Sequence, residues 1–274
     1  MELTLGGTVL LAGAGKMGTA LVQGWLARGL PASAIIIQEP SPSAETAAVV
    51  ATHGLSLVSA LSAIETPPSV IVAAVKPQVM DEVFTPLAKL AGPNTVVLSI
   101  AAGRSIASFE KHLAAGTAVV RAMPNTPAAI GRGITGACGN AHLTGEQKAV
   151  CNALLSAVGD VVWVPDESLI DAVTAVSGSG PAYVFLLAEY LAEAGVKAGL
   201  DLDTATKLAR ATVSGAGELL HQSPLPSETL RKNVTSPGGT TAAALNVLMR
   251  DNGLQPLLTE AVLAAKERGR ALGQ

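Results

Sequence analysis

Aromatic side chains are nearly missing from this chain: two Trp, two Tyr and three Phe in 274 residues. Smaller apolar groups must therefore fill most of any core. Charge is scarce as well, at 14% Asp, Glu, Lys and Arg, and the 18 basic and 21 acidic residues are spread evenly. With no basic stripe and a pI near 5.8, a nucleic-acid partner is not expected. No apolar run approaches the roughly 18 residues of a membrane helix. Met1-Glu2-Leu3-Thr4 offers no basic n-region, so neither a membrane span nor a signal peptide is expected. Two cysteines only, Cys138 and Cys151, lack a histidine at metal-ligand spacing. They fit reduced thiols in a cytoplasmic protein, with no metal site. The four histidines (53, 112, 142 and 221) are scattered and read as caps or solvated side chains.

What the chain has in abundance is alanine, 48 of them, within a hydrophobic share of 49%. The mean hydropathy is +0.44. Such a composition suits closely packed helices and is far from that of disorder. Little surface charge beside many small apolar groups also points to coverage by another subunit. The length fits two domains or one large α/β unit.

Short apolar runs recur at Thr8–Ala12, Ala34–Gln38, Ser69–Val75, Thr95–Ser99, Ala118–Ala122 and Asp160–Val164. Helix-like stretches such as Met17–Arg28 and Asp81–Leu90 separate them. Continuous Val/Ile/Leu runs alternating with helices predict a doubly wound, mostly parallel sheet covered on both faces. After Pro165 no β-rich run follows. Helices are expected near 180–198, 203–221, 240–251 and 255–270. The boundary is drawn at residue 165, giving an α/β domain over 1–165 and an all-α domain over 166–274.

Gly13-Ala14-Gly15-Lys16-Met17-Gly18 follows the first strand and opens a helix. Glycines there permit a tight turn, close approach to a pyrophosphate and helix–strand packing, which is the dinucleotide-binding pattern. Glu39 lies 21 positions after Gly18, where a carboxylate grips the ribose 2′-hydroxyl of NAD. Pro40-Ser41-Pro42-Ser43 follows it, with hydroxyls and N–H groups suited to a 2′-phosphate, so NAD and NADP both stay open. Ala73-Ala74-Val75-Lys76-Pro77 and Ser99-Ile100-Ala101-Ala102-Gly103 end two further strands, on the side where such sheets bind ligands. Arg121-Ala122-Met123-Pro124-Asn125-Thr126-Pro127 forms a rigid polar turn after another. In the second half, Ser177-Gly178-Ser179-Gly180-Pro181-Ala182-Tyr183 has helix-start punctuation. Asn233-Val234-Thr235-Ser236-Pro237-Gly238-Gly239-Thr240-Thr241 leads into a helix. A plain N-cap needs one hydroxyl, whereas this cluster suits a carboxylate cradle.

In that order and spacing, GAGKMG, AAVKPQ, SIAAG, RAMPNTP, SGSGPAY and NVTSPGGTTAAAL resemble the pyrroline-5-carboxylate reductase family over the whole length. The resemblance implies an N-terminal Rossmann domain and an all-α C-terminal dimerisation domain that interlocks into homodimers or larger assemblies. It implies reduction of the cyclic imine Δ1-pyrroline-5-carboxylate to L-proline, the last step of proline biosynthesis, with NADPH preferred and NADH possible. Carried over, Ala12, Gly13, Ala14, Gly15, Lys16 and Met17 would hold the pyrophosphate, with Ser41 near the ribose phosphate. Ala74, Val75, Lys76, Pro77, Ser99, Ile100 and Ala101 would line the rest of the dinucleotide site, and Asn233 would touch it from the helical side. Ser236, Gly239, Thr240 and Thr241 would receive the substrate carboxylate, with Thr241 as the catalytic residue near the ring nitrogen. Cofactor and substrate loop would come largely from different subunits. Two positions depart from the family: Ser223-Pro224-Leu225-Pro226 stands where many members carry Glu-His-Pro, and Glu39 replaces a neutral residue.

Two other readings compete. A β-hydroxyacid dehydrogenase needs a lysine four residues after Gly178-Ser179-Gly180, and Val184 stands there. A non-catalytic NAD(P)-binding sensor would leave the 236–241 cluster without purpose.

Overall fold

The computed structural model describes residues 3–272. Among them, strands and helices alternate through β1 (Val9–Ala12), α1 (Lys16–Ala27), β2 (Ile35–Gln38), α2 (Ala44–His53), β3 (Ser56–Val58), β4 (Val70–Ala73) and α3 (Met80–Ala88). The alternation continues with β5 (Val96–Ser99), α4 (Ile106–Glu110), β6 (Ala118–Met123), β7 (Gly133–Gly139), α5 (Gly145–Ser156) and β8 (Gly159–Trp163). Helices follow: α6 (Ile170–Val173), a π-helical turn over Thr174–Gly178, α7 (Gly180–Lys197), α8 (Leu202–Gln222), α9 (Ser227–Asn233), α10 (Thr240–Leu248) and α11 (Leu254–Leu272).

The strands form one sheet in the order β3-β2-β1-β4-β5-β6-β7-β8. It is parallel except that β7 pairs antiparallel with β6, and β8 then runs parallel to β7. Alternate residues of each central strand enter two separate cores. Val9, Leu11, Val70, Val72, Val96 and Leu98 face α1 and α5, where Trp25, Leu21 and Leu154 pack. Leu10, Ile71, Ala73 and Val97 face α3 and α4, with Met80, Phe84 and Phe109. Phe84 and Phe109 meet edge to face at 4.8 Å. Few aromatics suffice because both faces are tiled by Val, Ile and Leu, the expected pattern of a strand buried on both sides. Trp25 is fully buried, and its indole N–H donates to the Leu154 carbonyl at 2.9 Å, tying α1 to α5.

Two strands beyond the expected six appear. β3 is a three-residue edge strand on β2. β7 reads Gly-Ile-Thr-Gly-Ala-Cys-Gly, a composition that masks a strand. A Cβ on Gly136 would collide with Val173, and one on Gly139 with Leu143. The glycines let α6 and the following loop lie directly on the strand.

Packing divides the chain into two compact bodies: one to Gly178 together with residues from Ala265 onward, the other Ser179–Ala264. Residues 166–178, grouped on sequence pattern with the helical part, thus pack with the sheet. The Arg121 guanidinium on β6 holds them there, at 3.0 Å from Glu167 and 3.3 Å from Asp171. In the helical body, α7 and α8 form a hairpin through Gly199, whose φ is +106°. Buried Ala192, Ala205 and Ala209 line its seam, and a Cβ on Gly195 would sit 3.1 Å from that of Ala205. Small residues bring the two backbones close.

Candidate active site

β1 ends at Ala12, and the chain turns sharply at Gly13, whose φ of +92° favours glycine. The Gly13 N–H donates to the Gln38 carbonyl at 3.0 Å. A Cβ on Gly13 would lie 2.8 Å from the Val75 side chain and 2.9 Å from the backbone of Ala74 and Val75. A Cβ on Gly18 would lie 2.5 Å from the Gly13 carbonyl oxygen. Gly15 differs, since nothing stands within 4 Å of its missing side chain. It is the N-cap of α1 and no side chain caps that helix. Two glycines therefore allow packing and the third faces open space, with uncapped N–H groups and the positive helix end behind it.

Two threonines that sequence reasoning passed over hold this turn in place. Thr19 and Thr46 are buried, and their hydroxyls donate to the Ala14 carbonyl at 3.1 and 2.8 Å. The carbonyl is thereby drawn inward. Either threonine reads in sequence as an ordinary helix residue, so no local signal marks the pair. The Ala14 N–H donates to Glu39 Oε2 at 3.0 Å, and the Ser41 N–H to Glu39 Oε1 at 3.1 Å.

The loops after β4 and β5 lie along the same sheet edge. Ala74 N–H donates to Ala12 at 2.8 Å and Ile100 N–H to Ala73 at 3.1 Å. Ser99 is fully buried, and its hydroxyl accepts the Ala101 N–H at 3.2 Å. Lys76 is exposed in front of the short helical turn Pro77–Val79. The structure thus brings Ala12–Met17, Ala74–Pro77 and Ser99–Ala101 together at the carboxyl ends of β1, β4 and β5, with Ser41 reached through Glu39. Asn125, beyond β6, holds the neighbouring chain: its carbonyl accepts the Ile134 N–H at 2.9 Å and its amide donates to Ser177 at 3.1 Å. Ser177 lies in the π-helical turn, a wound segment that sequence reading took for simple helix-start punctuation.

In the helical body, Asn233 closes α9, the loop to α10 carries Ser236 and Gly239, and Thr240 and Thr241 open α10. The Gly239 N–H donates to Ser236 at 3.0 Å. With Pro237 second and Gly238 third at φ +69°, this is the type II turn combination. Gly239 is the N-cap of α10 and no side chain caps it. The hydroxyls of Ser236, Thr240 and Thr241 are therefore not spent on capping, against the plain N-cap reading. Ser236 and Thr240 are exposed, and Gly239 and Thr241 half-buried. Backbone N–H groups, hydroxyls and a positive helix end converge there, and a carboxylate matches that set. The cysteines lie elsewhere, buried in β7 and α5. Burial pushes the Cys151 thiol up to about 12. The Cys138 thiol is raised by burial first, then by Glu167 and Asp166.

The helical body leaves large apolar groups uncovered, among them Phe185 at 68%, Leu202 at 65% and Leu257 at 62% exposure. Contrary to the expectation that no run would suffice, the helical stretch Glu167–Lys197 is by length and composition long and apolar enough to cross a membrane, with 11% of an 18-residue apolar window in it buried.

A glycine turn of this build on a doubly wound sheet, followed by helices with an uncovered apolar face, defines an NAD(P)-binding oxidoreductase with a helical dimerisation domain. Residues 167–272 match the family described as pyrroline-5-carboxylate reductase dimerisation, and residues 8–103 that described as NADP oxidoreductase, coenzyme F420-dependent. The pyrroline-5-carboxylate reductase of Pseudomonas aeruginosa is 40% identical over 266 residues, 97% of each chain. The chain belongs to the pyrroline-5-carboxylate reductase family. Among solved structures, the reductase of Coxiella burnetii superposes with a TM-score of 0.91 at 34% identity, covering 98% of this chain and 99% of that one. That of Plasmodium falciparum, with NADP bound, gives 0.80 at 30% identity over 98% and 99%. The uncovered apolar helices, Glu167–Lys197 included, fall within the dimerisation match.

Proposed function

We propose that the protein reduces Δ1-pyrroline-5-carboxylate to L-proline in the cytoplasm, working as a homodimer or a larger homo-oligomer. The observation that carries this reading is the start of α10, where a type II turn and three hydroxyls stand at a helix end that no side chain caps. Ser236, Gly239, Thr240 and Thr241 receive the substrate carboxylate. The Thr241 hydroxyl accepts the N–H of the protonated ring nitrogen and so fixes which ring face is open to attack. A protonated imine carbon is already strongly electrophilic, so the protein supplies orientation and electrostatics and needs no strong acid.

The sheet body fits a reduced nicotinamide dinucleotide, because Gly15 leaves open the space that a pyrophosphate needs. Ala12–Met17 hold the pyrophosphate and Ala74–Pro77 and Ser99–Ala101 line the remainder, with Asn233 added on family resemblance alone. When bound, the dinucleotide supplies the hydride. Family resemblance implies NADPH, while the glycine turn itself serves either form equally. The test is loss of reduced-nicotinamide absorbance in purified protein given Δ1-pyrroline-5-carboxylate. Rapid loss with formation of proline is expected. No turnover with either dinucleotide, in folded and oligomeric protein, overturns the proposal.

A further inference from the structure

We propose that Glu39 makes this enzyme select NADH over NADPH, reversing the preference that family resemblance implies. The inference rests on the dinucleotide assignment above and concerns the far end of that ligand, the adenosine ribose. Glu39 directly follows β2, whose last residue Gln38 is in register with Ala12 of β1. From that corner a doubly wound sheet reads the ribose.

The carboxylate is held in place there. Oε2 accepts the Ala14 N–H at 3.0 Å and Oε1 the Ser41 N–H at 3.1 Å. Each oxygen keeps a further lone pair, so the same carboxylate can accept both ribose hydroxyls without leaving the glycine turn. A 2′-phosphate reverses the sign of the encounter, because a phosphate monoester carries about −1.5 to −2 charges at neutral pH.

Apart from the exposed Ser41 hydroxyl, the groups that would compensate are already engaged or missing. The Ser41 N–H, which resemblance offers to the phosphate, is spent on Glu39 itself. The Ser43 hydroxyl accepts the Thr46 N–H at 3.1 Å and lies 2.9 Å from the Thr46 hydroxyl. Glu45 adds a second acid in the first turn of α2. The sequence holds no Lys or Arg between Arg28 and Lys76. Lys16, the one cation of residues 13–18, opens α1 at the pyrophosphate, which both dinucleotides share.

The test is titration of the wild-type enzyme with NADH and with NADPH, without substrate, by the change in nicotinamide fluorescence. NADH is expected to bind at least about tenfold more tightly. Glu39→Gln, which keeps an acceptor but no charge, should strengthen NADPH binding and bring the two constants within about threefold. Glu39→Ser should move them in the same direction. Melting curves confirm that each variant is folded, and adenosine 2′,5′-bisphosphate should compete better against Glu39→Gln than against wild type. Equal or tighter NADPH binding by wild type overturns the proposal, as does a ratio unmoved by both substitutions. Failure of both dinucleotides to bind overturns the dinucleotide assignment, and this inference with it.

Discussion

Alanine placed at Gly13 and at Gly15 separates the packing of the glycine turn from its use. At Gly13 the backbone φ is +92°, which costs an L-residue about 1–2 kcal/mol. The new methyl would also stand 2.8–2.9 Å from Val75 Cγ1, Ala74 C and Val75 N. Two of those atoms are backbone at the exit of β4 and cannot rotate away, so overpacking adds about 1–3 kcal/mol. A total of about 3–4 kcal/mol lowers the melting temperature of a body this size by about 10 °C. At Gly15 the φ of −68° and ψ of −171° are open to alanine, and nothing lies within 4 Å of the added carbon. Only the N-cap preference is lost, about 0.5–1 kcal/mol, or about 2 °C. Yet that methyl stands where a pyrophosphate must approach the backbone, so dinucleotide affinity should fall at least about tenfold. Thermal melts by circular dichroism and a fluorescence titration with NADH decide the matter. Equal melting temperatures for the two variants refute the steric reasoning. Wild-type affinity in Gly15→Ala removes that glycine from the binding surface.

Thr241→Ala should lower kcat at least about tenfold, since a placed hydrogen bond is worth over 1 kcal/mol. Dinucleotide affinity should stay unchanged, and Thr241→Ser should restore most of the rate; unchanged steady-state kinetics in the alanine variant remove Thr241 from the mechanism. Cys151 makes stability sensitive to alkali, because its native thiol holds its proton to about 12 against an ordinary 9.0. The contribution is complete below pH 9 and is lost as pH rises towards 12, reaching about 1 kcal/mol by pH 10. Urea midpoints of wild type should therefore decline faster than those of Cys151→Ala over that window; parallel declines refute the assignment.

Much of the sheet was legible because its strands are buried on both faces, so Val9–Ala12 or Val96–Ser99 stand out as unbroken apolar runs. β7 escaped because Gly133, Gly136 and Gly139 carry no strand signal of their own. Their meaning depends on Val158, Val173 and Leu143 packing against them, which is tertiary information. The glycine turn and the 236–241 loop were readable as motifs, since each depends on local backbone geometry. The roles of Thr19, Thr46 and Asn125 were not. Thr46 and Asn125 act on backbone groups 32 and 52 residues away, and Thr19 bonds back across the turn before its own helix, a fold of the chain that its neighbours do not record.

The reversal of β7 has a consequence for how long the chain must be between β8 and the π-helical turn. Because β7 and β8 run against β6, β8 leads away from Asn125 and ends at Trp163, which pairs with Ala137 and so lies level with Ala122 near the carboxyl end of β6. Residues 164–177 must then turn back to reach Asn125, where Ser177 is hooked. Arg121 grips Glu167 and Asp171, one helical turn apart, within that return. The segment behaves as a measured strut. Changes of side chain along its solvent side are tolerable, but one inserted residue would turn everything beyond it by about 100° and shift it by about 1.5 Å. Its length is therefore constrained more tightly than its composition.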